Sequence, residues 1–195
     1  GLYDSTKKSD AVMGNFLMFF NNRERFFRYL RGILIGLPVW YTIGILVSFS
    51  DEFATRFGIS NFNQPKALML MYLALMFGDM SAGMISYAIK SRKKTLLIYY
   101  VIMFVFILLY FTLEGGGSSL NMYVLCMGLG FGSGLSVMYI TMSAEQFGTN
   151  LRATAAISIP NLVRGFLPLM LLLFQFLRGE KVLNDYVTAA WVTGV

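Results

Sequence analysis

Histidine is absent from all 195 residues, and cysteine occurs once, at Cys126. The first absence removes imidazole-based acid–base catalysis and every zinc site that needs a histidine ligand. The second removes an internal disulfide, and Cys126, lying inside an apolar run, reads as a small core residue. Charge is scarce as well: 13% of the residues are Asp, Glu, Lys or Arg, against roughly a quarter in an ordinary soluble domain. With 56% hydrophobic residues and a mean hydropathy of +0.62, the solvent for most of this chain is lipid. No paired acids or metal-ligand set share one depth in the apolar runs, which disfavours an integral membrane enzyme, and no residue pattern calls for a cofactor.

What the chain does have is long apolar runs separated by short polar clusters. Runs at 29–50, 67–89, 95–113, 120–142 and 153–177 are each long enough to cross about 30 Å of hydrocarbon. A sixth, 185–195, covers only about half a bilayer at ~1.5 Å per residue, so the chain is expected to stop inside a helix and, opening on Gly1 and a polar stretch, to begin inside a longer protein. That opening is not followed by the short apolar core and cleavage site of a signal peptide. Lipid demands internally satisfied backbone, and these runs are too long and too uniform for alternating barrel strands. The predicted fold is an all-α polytopic transmembrane helix bundle occupying 29–195, with 1–28 as a cytoplasmic linker and interfacial segment.

Orientation follows from the cations. Lys7, Lys8, Arg23, Arg25, Arg28, Arg31, Lys90, Arg92, Lys93, Lys94 and Arg152 fall on one side, eleven in all, against four, Arg56, Lys66, Arg178 and Lys181, on the other. Short cationic loops are retained in the cytoplasm, so the N-terminal end and the 90–94 loop are expected there, in a cell membrane. The net charge of +6 is then explained by basic loops facing anionic lipid, and no nucleic-acid partner is implied. Arg23, Arg25, Arg28 and Arg31, interleaved with Phe26, Phe27 and Tyr29, fit either a short interfacial helix or the first turns of the first span.

Gly115, Gly116 and Gly117, followed by two serines, lack the lysine of a phosphate loop and read as a flexible turn on the non-cytoplasmic side. In the fourth run, Gly128 with Gly132 and Gly130 with Gly134 form two small-xxx-small faces, where neighbouring helices can approach to backbone contact. Two ionisable residues sit deep in apolar runs. Asp79 lies eleven residues before Lys90, and Arg164 twelve after Arg152, so both stand ~16–18 Å from the basic ends of their helices. Such groups face a cavity or a partner rather than lipid, and a direct Asp79–Arg164 pair and separate cavity-facing roles are both open. Pro160 and Pro168 bracket Asn161, Arg164 and Gly165, which predicts a kinked fifth span with exposed carbonyls.

Two stretches carry a family resemblance. Gly83 followed by SYAIKSRKK resembles the basic cytoplasmic loop signature of the major facilitator superfamily, and AEQFGTNLRAT, from Ala144 to Thr154, is similar to the loop between that family's tenth and eleventh helices. Tyr87 stands where the family often has an acid, and Gly148 where it often has proline. The resemblance runs from about Phe16 onward and implies helices seven to twelve, the second half of a secondary transporter working by alternating access. It further implies a partner, the N-terminal six-helix half, and a small-molecule substrate at the midplane, with cation coupling left open. On this reading Asp79, Arg164 and Asn161 are polar cavity groups, and Trp40, Tyr41 and Tyr139 aromatic lining. Glu145 and Arg152 form a cytoplasmic gate, and the loop with Lys90, Arg92, Lys93 and Lys94 latches onto the other half. An anionic or zwitterionic solute rather than a cationic one is implied if Arg164 faces the cavity, and the implication lapses if it bonds Asp79. The alternative is a non-transporting scaffold, receptor or anchor built on the same helices.

Overall fold

The structure, a computed structural model, describes residues 16–113, 117–177 and 186–194. A 3-10 turn, Phe16–Phe19, precedes α1 (Arg23–Tyr41), which runs on through a π-helical stretch, Thr42–Val47. The short α2 (Ser50–Arg56) leads to α3 (Gln64–Ile89) and α4 (Arg92–Phe111). Then come α5 (Ser119–Gly132), α6 (Ser136–Ala144), α7 (Thr149–Leu177) and α8 (Tyr186–Gly194). Five stretches are long and apolar enough to cross a membrane: Arg23–Val47, Gln64–Ile89, Arg92–Phe111, Ser119–Ala144 and Thr149–Leu177. The chain is an all-α membrane helix bundle.

Local chemistry sets the helix starts. Asn22 accepts from Glu24 N at 2.9 Å, Asn63 from Lys66 N at 3.1 Å with Pro65 in the first turn, and Ser118 from Asn121 N at 3.2 Å. Each side-chain oxygen satisfies a backbone N–H that a helix start leaves free. α3 ends where Lys90 turns left-handed, φ 54°, and α4 begins two residues later. The cationic and aromatic residues from Arg23 to Tyr29 are the opening turns of α1, continuous with the span, so the interfacial helix and the span are one element. The linker at 1–15, Gly115 and Gly116 of the glycine turn, and the 178–185 loop lie outside the described residues.

The glycines of the fourth span divide between two neighbours. A Cβ on Gly130 would stand 2.2 Å from Met71 O, and one on Gly134 would stand 2.4 Å from Gly78 Cα, so this face touches the backbone of α3. The Gly128 and Gly132 face meets α4, at the Phe106 ring and at Met103 Cα. Contacts this close supply the dispersion that holds helices together in lipid, where apolar burial alone drives little.

The five long spans and the short α8 fall into two triplets of opposite direction. α1, α3 and α4 form the first, starting at the end of the bundle that carries Arg28, Lys90 and Arg92; α5–α6, α7 and α8 form the second, starting from the far end. The basic end is shared, because Arg28 Nη1 donates to Gln146 O at 3.2 Å and Arg92 Nη1 to Glu145 Oε2 at 2.5 Å. At the other end Tyr123 stacks on Phe62 and its hydroxyl accepts from Asn63 N at 2.8 Å. Packing crosses between the triplets: α3 lies chiefly on α5, and α7 chiefly on α1.

Both first spans are interrupted. The first passes into the π stretch after Pro38 and turns at Ser48 and Phe49; the fourth breaks at Ser133, Gly134 and Leu135, between α5 and α6. α7 is continuous helix through both Pro160 and Pro168, and the interruptions of regular α-helix lie in the first and fourth spans. Tyrosine hydroxyls tie the spans together through backbone carbonyls. Tyr110 donates to Leu46 O in the π stretch at 2.9 Å, Tyr99 to Gly78 O at 3.0 Å, and Tyr100 to Ile35 O.

Candidate functional site

Asp79 is the sixteenth residue of α3, next to Gly78, and Arg164 the sixteenth of α7, next to Gly165. Each therefore belongs to the second span of a triplet and meets the interrupted first span of the other. The close approach of Gly78 to Gly134 sets Asp79 beside the break between α5 and α6. There the start of α6 has no side-chain cap of its own from Leu135. Asp79 supplies one: Val137 N donates to its Oδ1 at 3.5 Å, and Ser136 N also faces the carboxylate. At 3.5 Å the bond is long, and the helix N-terminus adds a favourable field for a negative charge.

A cleft of about 720 Å³ runs from Asp79 toward the basic end, between α3, α6 and the start of α4. Ser86 and Thr141 line its walls, and Lys90, Ser91 and Arg92 its mouth. A carboxylate in a cleft with Ser86 and Thr141 in its walls and cations at its mouth is a place where a polar solute or a cation can wait. Across the mouth, the Arg92–Glu145 ion pair ties α4 to the end of α6, with both side chains about half exposed. Glu145 thus pairs with Arg92, and not with Arg152, which is exposed and makes no ion pair among the described residues. Seven residues of chain separate Glu145 from Arg152, but α7 begins between them at Thr149 and carries Arg152 off in its own direction. Lys93 and Lys94, exposed in the first turn of α4, stand beside this pair without joining it. Phe147 anchors the same loop, buried against Phe19 at 5.0 Å and against Tyr29.

Arg164 has a different setting. Its guanidinium carbon lies 5.1 Å from the centre of the Trp40 ring, and the Trp40 indole N–H faces the Tyr139 hydroxyl. α1, α6 and α7 meet here because Gly36 lets Val163 and the Tyr139 ring approach to about 3 Å of where its Cβ would be. Arg164 itself is exposed, as are Asn161 one turn earlier and Gly165, which has open space on its side. Arg164 and Asp79 form no ion pair, since one lies against α1 and the other against α6. A cation–π contact is worth ~0.5–2 kcal/mol, while a charge at the centre of a span costs ~2.5–3.5 kcal/mol or more. Trp40 alone does not offset burial in lipid, so the exposed face of α7 at Arg164 meets water or polar groups.

Two expected lining residues lie away from both Asp79 and the exposed face of Arg164, and Tyr41 instead lines a separate, mostly apolar cavity of about 310 Å³ with Pro38, Tyr100 and Trp191. Tyr41 is buried and donates to Ala190 O in α8 at 2.8 Å, and Tyr139 is buried behind Trp40 and Gly36. Both are packing groups in this structure, whereas Trp40 is half-buried and offers one ring face to Arg164. Reading the sequence alone missed the helix break capped by Asp79. Gly132, Ser133 and Gly134, three weak helix formers in a row, are its signal. The chain matches no protein-family model, no curated protein and no solved structure.

Proposed function

We propose that this chain is one half of a secondary transporter, which moves a small solute across the cell membrane by alternating access with a second helical half. The observation that carries the reading is the pair of interrupted first spans, α1 with its π stretch and α5–α6 with its break, in triplets of opposite direction that exchange their second spans. The break between α5 and α6 falls near the middle of its span, whereas the π stretch ends the first span toward the far side; an interruption near the midplane offers a helix N-terminus and backbone groups where a solute site can form and where one bundle can rock against another. Asp79 sits against the α5–α6 break, and Arg164 against Trp40, two residues before the π stretch. The major-facilitator likeness of Gly83 to Lys94 and Ala144 to Thr154 supports the same reading, with the basic end in the cytoplasm. In this setting the Arg92–Glu145 pair closes the cytoplasmic mouth of the Asp79 cleft and releases it in the alternate state.

The test is flux. Full-length protein in proteoliposomes on a solid-supported membrane is exposed to steps of carboxylates, sugars, phosphate and amines. A saturable, protein-dependent current or counterflow supports transport; folded, correctly inserted protein that moves none of these classes overturns it.

A further inference from the structure

The two intramembrane charges are not equally provided for. Asp79 has the backbone N–H groups of Ser136 and Val137 in front of it, so its charge is met by the start of α6. Arg164 has no carboxylate within ion-pair distance among the described residues, and its guanidinium carbon stands over the Trp40 ring. A guanidinium cannot shed its proton to become neutral, and its N–H edge, hydrogen-bonded to nothing among the described residues, is available to donate two parallel hydrogen bonds.

The helix presents that edge along a polar track. α7 buries one stripe, Leu151, Ala155, Ile159 and Val163. The opposite side carries Asn150, Thr154 and Asn161, with Ile157 exposed among them, from the basic end up to Arg164, and is apolar beyond it at Leu172. A polar track that ends at an unpaired guanidinium, with an amide one turn before it and no side chain at Gly165 to obstruct it, is built to receive a negative group from the basic end.

We infer that Arg164, backed by Trp40 and flanked by Asn161, recognises the anionic group of the transported solute, a carboxylate or phosphate. This rests on the transport reading for the word transported, while the anion site itself is testable without flux. Asp79 is met by the start of α6 and forms no pair with Arg164, so the group recognised at Arg164 carries a negative charge of its own.

The experiment places a single cysteine at Gly165 in full-length protein with Cys126 and every other cysteine replaced. The space around Gly165 is open, so the side chain fits. Modification rates are measured for the anionic sulfonatoethyl and the cationic trimethylammonium-ethyl methanethiosulfonates, each normalised to its rate on free mercaptoethanol. Clefts lined by one sign of charge raise local counter-ion concentration ~10-fold or more, so the anionic reagent should be favoured by about tenfold, and Arg164→Gln should abolish the preference. Ile157→Cys, 66% exposed on the same side one turn past Thr154, serves if Gly165→Cys misfolds. No modification by either reagent at both positions, or a preference unchanged by Arg164→Gln, overturns the anion site. Flux measured in parallel separates the two readings. Cysteines without charge preference in a protein that still transports overturn the anion inference alone; a preserved preference in folded protein that moves no anion overturns its link to transport.

Discussion

Asp79 works first on the structure. Its carboxylate takes the place of the missing cap on α6, and a lost cap costs ~0.5–2 kcal/mol. Asp79→Ala should therefore lower the unfolding midpoint of detergent-solubilised protein, and Asp79→Asn, which keeps an acceptor oxygen, should lower it less; equal losses would assign the effect to charge rather than to the hydrogen bond. The Arg92–Glu145 pair is the opposite case. Both ends are about half exposed, so a static bridge contributes ~0–1 kcal/mol and its value lies in opening and closing. Glu145→Gln should move the midpoint little and slow uptake by severalfold. Arg92→Glu should slow it further by setting two carboxylates together, and the exchanged pair Arg92→Glu with Glu145→Arg should recover most of the rate. Uptake and midpoint falling in step in all three variants would make the pair a fold element and not a gate.

Among elements, the contact of α3 with α5 is the tightest constraint. Gly78, Gly130 and Gly134 meet backbone atoms, which cannot swing aside as a side-chain tip can. Gly134→Ala should destabilise by ~1–3 kcal/mol through overpacking. Gly83→Ala, in open space on the same α3, should be neutral or gain up to ~1 kcal/mol of helix propensity. Unfolding midpoints of the two variants compare them directly, and equal responses would mean that α3 and α5 do not meet at these glycines. The same contact explains what could be read in the sequence and what could not. Span positions are a property of apolar length, and α3, α4 and α7 start within a few residues of the runs that announce them. The four-residue spacing of Gly128, Gly130, Gly132 and Gly134 likewise announces two faces, though not that one meets Met71 and Gly78 and the other Met103 and Phe106. The break at Ser133 to Leu135 depends on what α3 brings to it, namely the Gly78 backbone and the Asp79 carboxylate, and no local pattern contains that information. Glu145 illustrates the same limit, since its partner Arg92 lies 53 residues away in sequence. Asp79 and Arg164 were legible as residues out of place in lipid; whether they meet each other was a tertiary question.

At the scale of the molecule, the surface is largely apolar along α3, α4 and α7, with Met76, Met80, Val101, Phe104, Leu169 and Leu172 all exposed. Such a surface is matched by lipid or by another apolar bundle, and the ends of the bundle decide how it sits in the membrane. Arg28, Lys90, Arg92 and Arg152 gather at one end, while Lys66 and Arg56 are the described cations of the other. Cations near span ends are held on the cytoplasmic side during insertion, so Ser118, the exposed cap of α5 at the far end, should face outside. Ser118→Cys is a conservative replacement, but it exchanges the cap oxygen of α5 for a weaker acceptor, so Gly117→Cys, half-buried beside Leu113, is the less exposed of the two neighbouring positions and the poorer label site. In intact cells, a membrane-impermeant maleimide should label Ser118→Cys fully, and a cysteine in place of Lys93 only after permeabilisation. The reverse pattern would invert the orientation. It would also move the Asp79 cleft, the Arg92–Glu145 closure and the polar track to Arg164 to the outer face together, because all three open at the basic end.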